Sequence, residues 1–353
     1  MELVRFDKET QYIKDFVKLP QMIYSSSDNM EDPDTMKMIL EERHPLSKYF
    51  KLAKFLVYDK GIKGRFIITS YEGDKTAYIG FVEFVNDAEV AKFLFDKAYE
   101  YCKAEGFTNI QGPVDASFWI KYRLKINKFE TPYTGEPYNK DYYFDLYKAN
   151  GFEVIEHYIS NAFASVDESY VNEKFENRYK EFISHGYEIR SPGEDEFDSA
   201  IEAIYDMVTT LYSDFPIFKD VGKKDFCDLF ASYKKIMNMS MTKLAFYEGK
   251  PVGFYVSVPD YANLVYHTSN PVNIVKILTL KKKPRRYVML YMGVLPEHQG
   301  LGKALVYAVM KELMATGLPS IGSLIRDGKI NGKYASEKIE DVYEYVLLGK
   351  NIE

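Results

Sequence analysis

Gln299-Gly300-Leu301-Gly302-Lys303-Ala304 lies between an apolar run, Tyr287 to Val294, and an amphipathic run ending at Leu313. Two glycines at a strand-to-helix turn let successive backbone N–H groups converge on one point. The first N–H groups of a helix have no intrahelical partner and carry partial positive charge. The chemistry of such a turn is therefore capture of an anion such as a phosphate. Pro296 ends the preceding strand because it has no N–H for the ladder. Leu305, Val309, Met310 and Leu313 recur at helical spacing and define the side of the helix that faces a core. Other chemistries lack the residues they need. The histidines are scattered, with no pair at metal-ligand spacing on one helix face. Cys102 and Cys227 are the only two cysteines. Their isolation argues against a disulfide framework and a zinc site and fits a reducing, cytoplasmic setting.

The elements that must position this turn follow from periodicity. A chain of 353 residues is long for one core and suits two domains. The first half reads strand Glu2–Phe6, a helix from Asp7, a second helix Pro33–Glu42, and a hairpin, Phe55–Tyr58 with Arg65–Tyr71. Strand Ala77–Phe84, helix Ala88–Gly106, strand Asn109–Gly112, helix Asp141–Asn150 and strand Glu153–Phe163 complete it. After a charged helical stretch the order restarts: strand Tyr187–Arg190, helices Asp195–Tyr212 and Lys224–Met237, hairpin Thr242–Tyr247 with Val252–Val258. Strand Tyr287–Val294, helix Gly302–Thr316, strand Ile321–Ile325 and strand Val342–Leu348 follow. The repeat of element order predicts an α/β (α+β) chain of two duplicated domains, 1–165 and 186–353, joined by a connecting helix over 166–185. The net charge of −6 gives no general attraction to nucleic acid or to anionic membranes. The first residues carry charges throughout, unlike a signal peptide, and no apolar stretch is long enough to span a bilayer. The 31 tyrosines spread through both halves and form no binding platform.

The run Val294-Leu295-Pro296-Glu297-His298-Gln299-Gly300-Leu301-Gly302-Lys303-Ala304 resembles the acyl-CoA loop of GNAT-type N-acyltransferases. That signature has Gln or Arg, two residues, Gly, one residue, then Gly or Ala, and Gln299, Gly302 and Ala304 fill it. The resemblance implies two tandem GNAT-like domains, each a mixed, mostly antiparallel sheet flanked by helices. It implies acetyl-CoA, or another acyl-CoA, as co-substrate and no metal. It places the CoA pyrophosphate on the amides of Gln299, Gly300, Leu301, Gly302, Lys303 and Ala304, and pairs the pantetheine arm with the strand at Met292, Gly293 and Val294. The first half resembles the family more distantly, through segments such as Asn139 to Phe152, where Tyr147 matches the family's late tyrosine. Its loop equivalent, Asn86-Asp87-Ala88-Glu89-Val90-Ala91, has no glycine and two acids, which repel phosphate. This half is expected to have lost CoA binding, with Tyr147 structural.

Acyl transfer to an amine requires a neutral amine, a polarised carbonyl and a proton for the departing thiolate. In the second half Asn331 matches the family's asparagine, and the resemblance implies that it binds the cofactor, but Ile339 stands where the late tyrosine belongs. Tyr334 and Ser336 are the nearest candidates for the general acid, with Tyr334 preferred, and Tyr291 is expected in the core. Lys281-Lys282-Lys283-Pro284-Arg285-Arg286 reads as a solvated connection. The segment Pro259 to Leu280 reads as an insertion at a place suited to acceptor binding. The expected partner is a small-molecule or peptide amine, with no nucleic acid and no membrane. Oligomeric state is left open. The rival reading is a non-catalytic CoA sensor or scaffold.

Overall fold

The computed structural model describes residues 1–328 and 330–353, with Ile330 and Asn331 described by their backbone alone. The chain folds into two compact units. The first unit comprises Met1–Pro132, Glu136–Tyr158 and Tyr343–Glu353, and the second Tyr133–Gly135 and Ile159–Val342. This division differs from the sequence reading in two places. Helix Glu173–Ser184, expected as a connection, belongs to the second unit. The end of the chain, expected in the second domain, belongs to the first unit. The cause is non-local pairing: the last strand lies antiparallel to Asn109–Gly112, with Leu348 opposite Gly112 and Asn351 opposite Asn109.

In chain order the first unit contains β1 (Glu2–Phe6), α1 (Thr10–Ile23), α2 (Pro33–Leu40), β2 (Lys51–Tyr58), β3 (Ile62–Ser70) and β4 (Thr76–Phe84). It continues with α3 (Ala88–Ala104), β5 (Asn109–Gly112), short β6 (Val114–Asp115), β7 (Lys121–Tyr122) and β8 (Leu124–Lys125), α4 (Tyr143–Ala149) and the first part of β9 (Glu153–Phe163). Its sheet runs β1-β2-β3-β4-β5 and then the chain's final strand. All neighbours are antiparallel except β4 and β5, which are parallel at Thr76–Asn109, Ala77–Ile110 and Tyr78–Gln111. Helix α3 forms because Val90, Ala91, Leu94, Phe95, Ala98 and Cys102 recur every three or four residues and are all buried against this sheet.

The second unit contains α5 (Glu173–Ser184), β10 (Tyr187–Arg190), α6 (Phe197–Leu211), α7 (Lys223–Phe230), β11 (Lys243–Tyr247) and β12 (Lys250–Pro259). Then come α8 (Pro271–Lys282), β13 (Tyr287–Val294), α9 (Leu301–Thr316), β14 (Ser320–Arg326) and β15 (Ile339–Asn351), whose residues from Tyr343 on belong to the first unit. The sheet order is β14-β13-β12-β11-β10. Here too one pair is parallel: β13 meets β14 at Tyr287–Ser320, Val288–Ile321 and Met289–Gly322. Helix α9 buries Leu301, Ala304, Leu305, Ala308, Val309 and Leu313. Gly317 ends it in the left-handed conformation, with its N–H on the Leu313 carbonyl. Helix α8 was not anticipated, although Asn270 caps it and Pro271 takes the first helical position.

The final strand carries Val346 and Leu348 into the first unit's core, and Tyr345 donates to the buried Glu136, which Lys125 also holds at 2.6 Å. Leu348 is fully buried. Leu348→Ala is expected to cost about 2 to 5 kcal/mol and to expose the first unit's sheet to proteolysis. Urea unfolding read together with proteolytic mapping checks this; an effect confined to the second unit would contradict the assignment.

Candidate functional site

The site is built where the two parallel strands of the second unit part. After Met289–Gly322 the pairing of β13 with β14 stops, and among the described residues Leu290 to Val294 have no partner strand on that side. Ser323 closes the crotch of the fork by donating to the Met289 carbonyl at 2.8 Å. On the other edge of β13, Val256 faces Tyr291 while Ser257 faces Met289, so Leu290 is the extra residue of a β-bulge. A bulge of this kind twists the strand and turns its backbone out of the ladder. The fork opens into a cleft with about 830 Å³ of empty space, open to solvent. Its walls are mostly apolar, among them Tyr255, Met292, Val309, Met310 and Leu313.

The glycine turn stands at the mouth of this cleft. Gly300 adopts φ +94°, a left-handed conformation that an L side chain enters only with strain, and α9 begins at the next residue. Because glycine is the N-cap, no side chain fills the helix start. Among the described residues the amides of Gln299, Gly300, Leu301 and Gly302 donate to no protein acceptor, whereas Lys303 donates to the Gly300 carbonyl at 3.2 Å. Four unbonded amides within one turn form an anion cradle. A Cβ on Gly302 would meet the Tyr334 hydroxyl at 3.5 Å and Met292 Cε at 3.8 Å, ordinary contact distances, so these two side chains face the turn. Met292 and Val294 therefore point toward the turn, and Met292 also lines the cleft. Gly293 points the other way, where a Cβ would lie 2.5 Å from Leu211 and 2.6 Å from Phe254; it is glycine for close packing.

Tyr334 lines the cleft with its ring against Phe175, and burial pushes its phenol above the usual tyrosine range. Asn161 fixes the segment that carries it by donating to the Gly332 carbonyl at 3.0 Å. The side chain of Asn331 lies outside the described residues. Tyr291, expected in the core, lines the cleft instead, since the bulge at Leu290 shifts the alternation of its strand. Arg178 of α5 was not anticipated. Its guanidinium carbon lies 3.6 Å from where a Cβ on Gly300 would be, and it also pairs with Glu181 at 2.9 Å. It brings a cation to the cradle from far upstream, where no local sequence signal marks it. The basic run ends α8 and leads into β13, with Arg286 paired to Asp260. No carboxylate or imidazole is among the residues lining the cleft, and no group of metal-ligating side chains occurs among the described residues.

The first unit has the same fork, filled. Strands β4 and β5 also pair at three positions, and β4 then loses register with β3. Here the chain after β5 turns back into the gap. A Cβ on Gly80 would lie 1.8 Å from the Val114 carbonyl oxygen, and Asp115 accepts the amide of Phe81. Below it, Glu83 accepts from Tyr24 at 2.9 Å and Tyr143 at 2.6 Å, and burial raises this carboxyl above its usual range. The start of α3 is occupied as well: Asp87 accepts the amides of Glu89 at 2.8 Å and Val90 at 3.3 Å. A protein carboxylate thus occupies the first unit's helix start, which in the second unit no side chain fills. Tyr147 is fully buried among Phe95 and Phe152, as a core residue.

The whole chain superposes on 98% of a tandem GNAT protein from the clavulanic acid biosynthesis pathway, at 11% identity and a TM-score of 0.56. A glucosamine N-acetyltransferase region, GCN5-related, of a fungal multi-domain β-N-acetylglucosaminidase matches 99% of the chain at 12% identity and TM-score 0.54. The match spans 38% of that longer protein. A GCN5-related N-acetyltransferase from Anabaena variabilis matches 98% of the chain and 72% of its own length, at 7% identity and TM-score 0.50. No family model matches the sequence, and no curated protein does. The chain has a tandem GNAT fold, and identities this low establish the fold alone.

The two loop glycines make opposite predictions. Gly300→Ala should destabilise the second unit by about 1 to 2 kcal/mol, because the backbone there is left-handed. Gly302→Ala should be neutral or add up to about 1 kcal/mol, because a Cβ in this helical position meets its neighbours at ordinary contact distance. Urea unfolding of both variants checks this, and equal losses would refute the loop geometry.

Proposed function

We propose that the second unit is an acyl-CoA-dependent N-acyltransferase domain acting in the cytoplasm, with acetyl-CoA as donor and an amine as acceptor. The observation that supports this most is the set of amides from Gln299 to Gly302 that have no acceptor among the described residues, beside a stretch of β13 with no neighbouring strand on that side. Those amides, with Arg178, suit a diphosphate. The edge of β13 from Leu290 to Val294 suits an amide-bearing arm that adds as a further strand. When bound, the thioester supplies the activated acyl group. A micromolar ligand needs about 8 kcal/mol. One helix start gives an anion about 0.3 to 2 kcal/mol, so the strand edge must contribute as well.

Tyr334 is the proton donor we assign to the departing thiolate. Its raised pKa keeps the phenol protonated through neutral and mildly alkaline pH. An alkyl amine of pKa about 10.4 is neutral in roughly one part in a few thousand at pH 7. With no carboxylate or imidazole lining the cleft, the neutral amine must come from solution. That same lining favours a second reading, a CoA-binding protein without catalysis. Release of free thiol in the presence of a panel of amines separates the two readings.

Gly302→Glu puts a carboxylate into the cradle and should weaken acetyl-CoA binding at least about a hundredfold, since each charge-assisted amide bond contributes about 1.5 to 3 kcal/mol. Calorimetric titration measures it, and unchanged affinity would remove the cradle from the account. Activity should rise close to tenfold per pH unit from about pH 6 to 9, with no falling limb below pH 10. A bell centred near neutrality would instead reveal a protein base. Tyr334→Phe should lower kcat about a hundredfold and leave acetyl-CoA affinity intact; a loss of affinity alone would make Tyr334 a binding residue.

A further inference from the structure

Helix α8 leaves an apolar face uncovered. Val272, Ile274, Val275 and Leu278 are 58%, 45%, 63% and 53% exposed, while Ile277 alone turns inward and is buried. At 3.6 residues per turn these four side chains fall within about 160° of the helix circumference. Four of the ten large hydrophobic side chains that are exposed among the described residues sit on this one helix, which makes it a patch rather than scatter. Lys276 and Lys281 flank the sector on either side, and Lys282, Lys283 and Arg285 follow at its end. Among the described residues none of these five cations forms an ion pair, unlike Arg286, which is held by Asp260. The helix is preformed, with Asn270 accepting the Val272 amide at 3.0 Å.

We propose that α8 docks on an anionic lipid bilayer, lying in the interface with its aliphatic face inserted and its lysines at the phosphate level. The composition favours lipid over a protein partner. Protein interfaces concentrate aromatic residues and arginine and are poor in lysine, whereas this face is aliphatic, holds no aromatic side chain, and is bordered by lysines whose apolar stems can lie along a membrane surface with the ammonium in water. The whole chain is acidic, −6, so the attraction must come from this local cluster. No helix among the described residues is long and apolar enough to cross a membrane, so this is attachment to a surface. It runs against the expectation of no membrane partner and is independent of what the cleft binds.

The test is co-sedimentation of the full chain with vesicles of phosphatidylcholine alone and of phosphatidylcholine with roughly a quarter phosphatidylserine. Binding to the anionic vesicles is expected, falling as salt rises. Each cation near the surface contributes about fivefold, so Lys281→Glu/Lys282→Glu/Lys283→Glu should cut binding at least tenfold. Val275→Asp/Leu278→Asp should do the same without lowering thermal stability, since both positions are exposed. Equal binding to neutral vesicles, no binding to either, or indifference to both variants would overturn the proposal. Concentration-dependent dimerisation lost in Val275→Asp/Leu278→Asp, without vesicle binding, would reassign the face to a second copy of the chain.

Discussion

The structure turns on a parallel strand pair that ends early. Three residues of β13 pair with three of β14, and then the strands separate. Separation leaves one side of β13 with no neighbouring strand among the described residues, and backbone groups there cost free energy unless a side chain, water or a ligand satisfies them. The bulge at Leu290, the bond from Ser323 to the Met289 carbonyl and the close packing at Gly293 hold the fork in that state. The cradle at Gly300 matters because it opens onto this edge: a helix start alone holds an anion weakly, and the two together can hold an extended ligand with a charged end.

The two units solve the same problem in opposite ways. In the first, Val114 and Asp115 enter the fork and Asp87 caps the helix, so protein atoms satisfy the groups that the second unit leaves open. The exchange follows from few side chains. Glycine at the cap position leaves the second helix start empty, and aspartate fills the first. A buried set of Tyr24, Tyr143 and Glu83 then consolidates the closed fork. The first unit has the same fork and helix start, with protein atoms in both.

Much of this was legible in the sequence because its causes are local. Glycine spacing, the strand-ending Pro296 and the stripe on α9 are read within about twenty residues of the turn, and the acids at Asp87 and Glu89 already argued against phosphate. What escaped depends on distant chain segments. The pairing of the final strand with Asn109–Gly112 moved the domain boundary. Arg178 reaches the cradle only through the packing of α5 on α9. Tyr291 changed faces because a bulge shifts alternation by one residue, and no residue type announces a bulge. Helix α8 was hidden by its own composition: apolar around most of its circumference, it shows no stripe, and only Asn270-Pro271 signalled its start.

Hydrogen–deuterium exchange with and without CoA tests the central claim most directly. The account predicts that CoA slows exchange at the amides of Gln299 to Gly302 and along Leu290 to Val294, and leaves Glu89 and Val90 of the first unit unchanged. Protection at the start of α3 instead, or none along β13, would contradict it.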